Sequence, residues 1–213
     1  MEIPSSSTAA LTDALLQEMA AGSGVKRYPA NAVLINEGDR ADTLFILVSG
    51  RVKVYAASDA GKEIVLNTLG TGETFGELSF DGEPRSASVM TLEPTSCVLV
   101  SGARLREFVA THPDFALYLI HKLIGRVRAL TGSVKALALD DVYTRVVRLL
   151  DDLSSPDGDH RTVPDRLTQQ DIADRVGSSR EMVSRIFKEL TTGGYVETQG
   201  GRIRILKTPP AAW

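Results

Sequence analysis

One cysteine, Cys97, in a chain of 213 residues removes several kinds of chemistry at the outset. A lone thiol closes no internal disulfide and builds no cysteine cluster for zinc or iron–sulfur. Its setting in the strand-like "SCVLV" reads as a buried apolar filler. No apolar run is long enough to span a bilayer, which argues against a membrane protein. The amino terminus, "MEIPSSSTAALTDALLQEM", lacks a basic region followed by an apolar one, so the expected location is the cytoplasm. Charge of one sign is missing too: 24 Lys and Arg against 27 Asp and Glu leave a net charge of −3. Any surface facing nucleic acid must therefore be a local patch. No paired metal ligands and no nucleophile–base constellation stand out, and no enzyme activity is expected.

What is present divides the chain. Its length suits two modest domains, each able to bury a core. From about Val33 to Val100, short β-rich runs ("AVLI", "LFILV", "RVKVYA", "EIVLNTL", "SASVMTL", "CVLV") alternate with Gly or Asp punctuation, predicting a compact antiparallel sandwich or barrel. A helix from roughly Ala9 to Ala20 is expected to pack beneath it. Pro113 suits the first turn of a second helix. There Ile120, Leu123, Val127, Leu130, Val134 and Leu137 recur at intervals of three and four, the a/d alternation of a coiled coil. A dimer seam is expected; the alternative is a surface helix packed on its own β-domain, with Leu119 and Ile124 widening the stripe. Asp140 or Asp141 can cap a further helix, "DVYTRVVRLLDDL", which the polar, turn-rich "SSPDGDHRTVPD" ends.

The segment "LTQQDIADRVGSSREMVSRIFKELTTGGYVET" has the anatomy of a helix-turn-helix. Thr168 and Asp171 form an approximate capping box, the first helix runs to about Val176, Gly177 turns the chain, and Ser178 or Ser179 caps the second helix. On that helix Val183, Ile186, Phe187 and Leu190 share an apolar face. Arg180, Glu181, Ser184, Arg185 and Lys188 project from the other. Arg can donate two hydrogen bonds to guanine in the major groove and Glu can accept from cytosine, so this face has base-reading chemistry. The plainer reading is an amphipathic helix with Glu181 and Arg185 as a surface pair. The following "YVETQGGRIRILK" predicts two short strands around Gly200-Gly201, a wing that would bring Arg202 and Arg204 near a phosphate backbone.

Between strand-like runs, "GELSFDGEPRSASV" sets a glutamate and an arginine on either side of a tight loop. Together with the heptad helix and the winged motif containing "SREMVSRIFKEL", it resembles the CRP/FNR family of bacterial transcription regulators over nearly the whole chain. The resemblance implies an α+β architecture: an effector-binding antiparallel β-roll in residues 1–112, a long dimerisation helix in 113–139, and a winged helix-turn-helix in 140–213. It also implies a cyclic nucleotide effector held by Gly76, Glu77, Leu78, Ser79, Arg85 and Ser86, with Thr131 from the long helix near the base. Arg85 would pair the phosphate and Glu77 would accept from the ribose 2′-hydroxyl, chemistry that suits a charge-assisted contact in a backbone-lined concavity. Other readings are a Glu77–Arg85 pair and a loop without a ligand.

Two departures bear on the base. The loop between "GEL" and "RSA" is shorter than in the family's cyclic AMP-responsive members, and the pair aligned with their two adjacent hydroxyl residues is Leu130-Thr131. Cyclic AMP is the effector the resemblance implies, with cyclic di-GMP as the alternative. No prosthetic group is expected, because an FNR-type cluster needs several cysteines and His112, His121 and His160 lie beyond the β-domain where a haem would need ligands. The implied partners are a second copy of the chain, double-stranded DNA with inverted TGTGA-like half-sites, and RNA polymerase through the polar segment Ser154 to His160. On the DNA, Arg180, Glu181 and Arg185 would read bases. Thr168, Gln170 and Ser179 would hold phosphates, and Lys188 would contact the backbone. Further alternatives are a regulator of this family that needs no ligand and a nucleotide-binding module without DNA function.

Overall fold

The computed structural model describes residues 14–77, 81–158 and 160–210. Contacts group them into two units, one comprising described residues up to Ala56 and Leu66–Arg128, the other Ala57–Val65 and Ala129 onward. In the first, α1 is helical over residues 14–20; Ala9 to Asp13 of the expected helix lie outside the described residues.

Eight strands follow: β1 (Val25–Tyr28), β2 (Val33–Ile35), β3 (Thr43–Ser49), β4 (Val52–Ala57), β5 (Glu63–Leu69), β6 (Thr74–Phe75), β7 (Ser88–Thr91) and β8 (Thr95–Ser101). They form two four-stranded sheets in the orders β1-β8-β3-β6 and β2-β7-β4-β5. β3 explains the layering. Its "TLFILVS" is buried on both faces, and because side chains alternate along a strand, Phe45 and Leu47 enter one core while Leu44 and Ile46 enter another. The first core holds Phe75, Val52, Leu69, Val89 and Cys97, with Phe45 stacked on Phe75 at 4.8 Å. The second seats the sheet on helices through Leu16, Met19, Leu105, Phe108 and Phe115. β8 divides in the same way, Cys97 facing one core and Val98 and Val100 the other.

Helix α2 (Gly102–Thr111) begins at Ser101, whose side chain accepts from the Arg104 amide. Helix α3 (Pro113–Leu139) opens on its proline as expected and runs 27 residues, about 40 Å. Of its seam residues, Ile120, Val127, Leu130, Val134 and Leu137 are exposed in the single chain, Val127 and Val134 by 63% and 65%. An ordinary amphipathic helix would have buried such a stripe on its own domain.

In the second unit, α4 (Val142–Leu153) is capped by Asp141. Two short strands, β9 (Ser155–Asp157) and β10 (His160–Thr162), come next, then α5 (Gln169–Val176), α6 (Arg180–Thr192), β11 (Val196–Gln199) and β12 (Arg202–Ile205). The polar, turn-rich stretch "SSPDGDH" contributes strand residues on both sides of its turn. It forms a hairpin that joins the wing in a sheet of order β11-β12-β10-β9. Local propensity hides it, since Pro156 and Gly158 weaken a strand pattern; pairing of Arg161 with Ile205 and of Thr162 with Arg204 supplies the order. One core, including Val146, Leu150, Ile172, Val183, Phe187, Leu190 and Ile203, binds helices to sheet. No helix among the described residues is long and apolar enough to cross a membrane.

Candidate ligand cavity and nucleic-acid interface

β6 ends where the loop beginning at Gly76 starts, and the backbone there is set by a glycine. Gly76 has φ 86°, and a Cβ at this position would lie 2.8 Å from both Arg85 Nη1 and Thr43 O. A side chain would be strained by conformation and blocked by contact. The close approach is what allows Arg85 to donate from Nη1 to Gly76 O at 2.7 Å and from Nη2 to Thr43 O at 2.7 Å. Main-chain bonds from Arg85 N to Asp39 O (2.9 Å) and from Gly38 N to Arg85 O (2.8 Å) hold the residue itself. Arg85 is 6% exposed. Burial lowers its pKa, opposed by the charges of Asp42, Glu77 and Asp39, and a guanidinium stays charged in such surroundings.

Glu77 is equally buried, at 6% exposure. It does not bridge to Arg85 but pairs through Oε1 with Arg126 of α3, while its Oε2 is buried with no hydrogen-bond partner among the described residues. Arg126 also donates from Nη2 to Thr74 O at 3.3 Å. Gly76, Glu77, Arg85, Ser86 and Arg126 line a common cavity of about 50 Å³. Of the other expected residues, Leu78 and Ser79 lie outside the described residues. Thr131 is exposed on α3 and belongs to the second unit.

Sequence reasoning did not find three α3 residues that close on β6. Tyr118, Lys122 and Arg126 follow at i, i+4 and i+8, so one stripe of the helix faces the strand. Lys122 Nζ donates to Thr74 O and to Thr74 Oγ1, and Tyr118 shares a hydrogen bond with the Thr74 side chain. Burial pushes the Lys122 pKa down to about 8; Glu77 raises it and Arg126 lowers it. Burial likewise raises that of Tyr118. The signal was available as a polar stripe of period four beside the heptad seam.

The helix-turn-helix follows its expected residues closely. Thr168 and Asp171 complete a reciprocal capping box, Gly177 ends α5 at φ 65°, ψ 43°, and Ser179 caps α6 by accepting from the Met182 amide at 3.2 Å. Val183, Ile186, Phe187 and Leu190 are buried, whereas Arg180, Glu181, Ser184, Arg185 and Lys188 are exposed. Glu181 and Arg185 form no ion pair. The Glu181 carboxylate turns to its own backbone amide and to Ser179, which lowers its pKa. Gln170 donates to Asp174 at 2.7 Å. In the wing, Gly200 and Gly201 take φ 60° and 80°, as a tight hairpin turn requires. Arg202 at its tip is exposed. Arg204, expected near phosphate, instead donates across the ladder to Glu197 at 2.7 Å and to Gln199 at 3.0 Å.

Two family models match the chain: a cyclic nucleotide-binding domain over residues 25–112 and a Crp-like helix-turn-helix domain over residues 144–209. The cAMP-activated global transcriptional regulator CRP of Pasteurella multocida is 32% identical over 191 residues, covering 86% of this chain and 90% of that protein. The cAMP-activated regulator Vfr of Pseudomonas aeruginosa is 34% identical, over 86% and 89%. Among solved structures, the c-di-GMP responsive global regulator CLP of Xanthomonas campestris superposes with a TM-score of 0.81 at 29% identity, covering 92% of this chain and 99% of that one.

Proposed function

Since the chain belongs to the CRP/FNR family of transcription regulators, with a cyclic nucleotide-binding domain and a DNA-binding helix-turn-helix, we propose that it works as a homodimer whose binding to inverted TGTGA-like half-sites is controlled by cyclic AMP. It is a regulator and not an enzyme. The observation that carries the effector reading is Glu77 Oε2, a buried acceptor without a partner among the described residues, beside the Arg85 guanidinium. A buried carboxylate oxygen left unbonded is costly, and a ribose 2′-hydroxyl at that place would satisfy it while Arg85 holds the cyclic phosphate.

The cavity's 50 Å³ is well below the few hundred Å³ that a ligand of nucleotide size needs. Entry of the nucleotide therefore requires the lining to open. Arg126 of α3 is part of that lining, so an opening that moves it would act on the helix that carries the dimer seam. The exposed a/d residues of α3 support the dimer: Val127→Lys should yield monomers by light scattering, and a monomeric wild type at micromolar concentration would refute the seam.

For DNA, Arg180 and Arg185 donate to guanines and Glu181 accepts from cytosine. Thr168, Gln170 and Ser179 hold phosphates near helix starts, and Lys188 meets the backbone. RNA polymerase contacts the β9–β10 hairpin; Asp157→Ala or His160→Ala should lower activated transcription with DNA binding unchanged. Cyclic di-GMP is the second effector reading, supported by the likeness to CLP and by the single hydroxyl, Thr131, in the pair Leu130-Thr131. Selection on random duplexes with each nucleotide and with none tests the whole reading. An inverted TGTGA-like motif recovered only with cyclic AMP is expected. An unrelated motif would overturn the base assignments, and equal recovery without nucleotide would overturn the control.

A further inference from the structure

The second unit contains a cavity of about 690 Å³, more than ten times the 50 Å³ at the cassette formed by Gly76, Glu77, Arg85 and Ser86, and within the range of small-ligand sites. One face of α4 lines it with Thr144, Val147, Arg148 and Asp151, spaced i, i+3, i+4 and i+7. The β9–β10 hairpin forms a second wall. The third is the strand end and tail from Ile205 to Pro210, tied back by the hydrogen bond from Tyr143 Oη to Pro210 O at 2.9 Å. Val147, Val196, Ile205, Leu206 and Pro209 give it an apolar surface.

Its charges are unevenly balanced. Arg148 is paired with Asp140 at 2.5 Å, and Arg161 with Asp151. Lys207 is exposed and has no acidic partner among the described residues; its ammonium lies 5.8 Å from the Tyr195 ring centroid. His160 lines the same cavity, and its Nδ1 is buried with no hydrogen-bond partner among the described residues. A cation without an acidic partner and a ring nitrogen without a hydrogen-bond partner among the described residues, over an apolar surface, suit a single anionic head on an apolar body.

We propose that this cavity is a second small-molecule site, which binds an amphipathic monocarboxylate with the carboxylate at Lys207 and His160 and the hydrocarbon against Val147, Ile205 and Leu206. Such a ligand would join α4, the β9–β10 hairpin and the tail within the unit that carries α6. It would give the DNA-binding unit its own chemical input, separate from the cassette.

Octanoate and its neutral analogue octan-1-ol are the probes, titrated calorimetrically into the full chain with and without saturating cyclic AMP and cyclic di-GMP. The expected result is saturable octanoate binding, about one per chain, unchanged by either nucleotide and roughly tenfold or more weaker for octan-1-ol. Lys207→Ala, an exposed change, should weaken octanoate by a similar factor, and Val147→Trp should block it. A thermal melt of each variant separates lost binding from lost folding. No saturable binding at millimolar octanoate, equal affinity for the alcohol, an unaffected Lys207→Ala, or displacement by nucleotide would each overturn the proposal. Binding of hexaglutamate in place of octanoate would make the surface a dock for acidic peptides and would also overturn it.

Discussion

Two arginine-bearing surfaces of this chain are built on opposite plans. Arg85 is 6% exposed, with its guanidinium held by two backbone carbonyls at 2.7 Å. Arg180 and Arg185 are exposed, and their guanidinium groups form no hydrogen bond or ion pair with another described residue, although the helix that carries them is fixed by Val183, Ile186, Phe187 and Leu190. A small ligand with one phosphate rewards a rigid, pre-aimed cation, because ordering costs are met during folding. A duplex surface offers many alternative acceptors, so its reader needs a rigid helix and free side-chain ends. Where a guanidinium is anchored thus decides whether its loss is felt by the fold or only by the partner.

Arg85→Leu should show the largest effect. Nucleotide affinity should fall by about a hundredfold or more. The bonds from Arg85 to Gly76 O and Thr43 O would also be lost, costing about 1–3 kcal/mol of stability, read as a lowered melting temperature. A variant that kept its stability would break the contrast. Arg180→Ala or Arg185→Ala should cost on the order of 1–3 kcal/mol of specific DNA binding and relax the preference at one base pair, with the melting temperature unchanged. A fall in melting temperature matching that of Arg85→Leu would again remove the distinction.

Lys122 gives a pH test of the buried surface. Its folded pKa is about 8 against the ordinary 10.5, so between these values the unfolded chain binds more protons and stability rises with pH. Below pH 8 both states are protonated and this contribution is flat. Cys97, raised from 9.0 to about 11, and Tyr118, raised above 10.0, act in the reverse sense at higher pH, so the clean window is about pH 8 to 9. Lys122→Met should flatten the slope of urea-derived stability there; an unchanged slope would assign the titration elsewhere. The smallest effect belongs to Lys188→Ala, which should weaken binding to all duplexes alike and reduce the salt slope by about one. A sequence-dependent loss would instead place Lys188 among the base readers.

Legibility followed the range of the interactions. Caps, the heptad and the helix-turn-helix rest on residues three to seven apart, so Thr168, Gly177, Ser179 and the faces of α6 could be read directly. The cassette was legible as a motif, but its wiring was not: Arg85 reaches Thr43 across 42 positions and Arg126 reaches Glu77 across 49. No local pattern encodes those meetings. β6, two residues long, and the β9–β10 hairpin owe their order to neighbouring strands. The motif likewise gives no sign that Arg85 is buried and tied to two carbonyls, which makes it part of the fold as well. The segment containing α2 carries a good cap at Ser101, yet "GARLREFVAT" starts on glycine and offers only Leu105 and Phe108 as clear core anchors.

The double burial of β3 has a kinetic consequence. Its alternate side chains belong to two different cores, one shared with the second sheet and one with α1, α2 and the start of α3, and β8 beside it is divided likewise. Neither layer can detach without stripping one face of the same pair of strands. Opening of the roll and release of its helices should therefore be a single event. The backbone amides shared by β3 and β8 are expected to be among the slowest in the first unit to exchange with deuterated solvent, with a common opening free energy on both sides of the sheet.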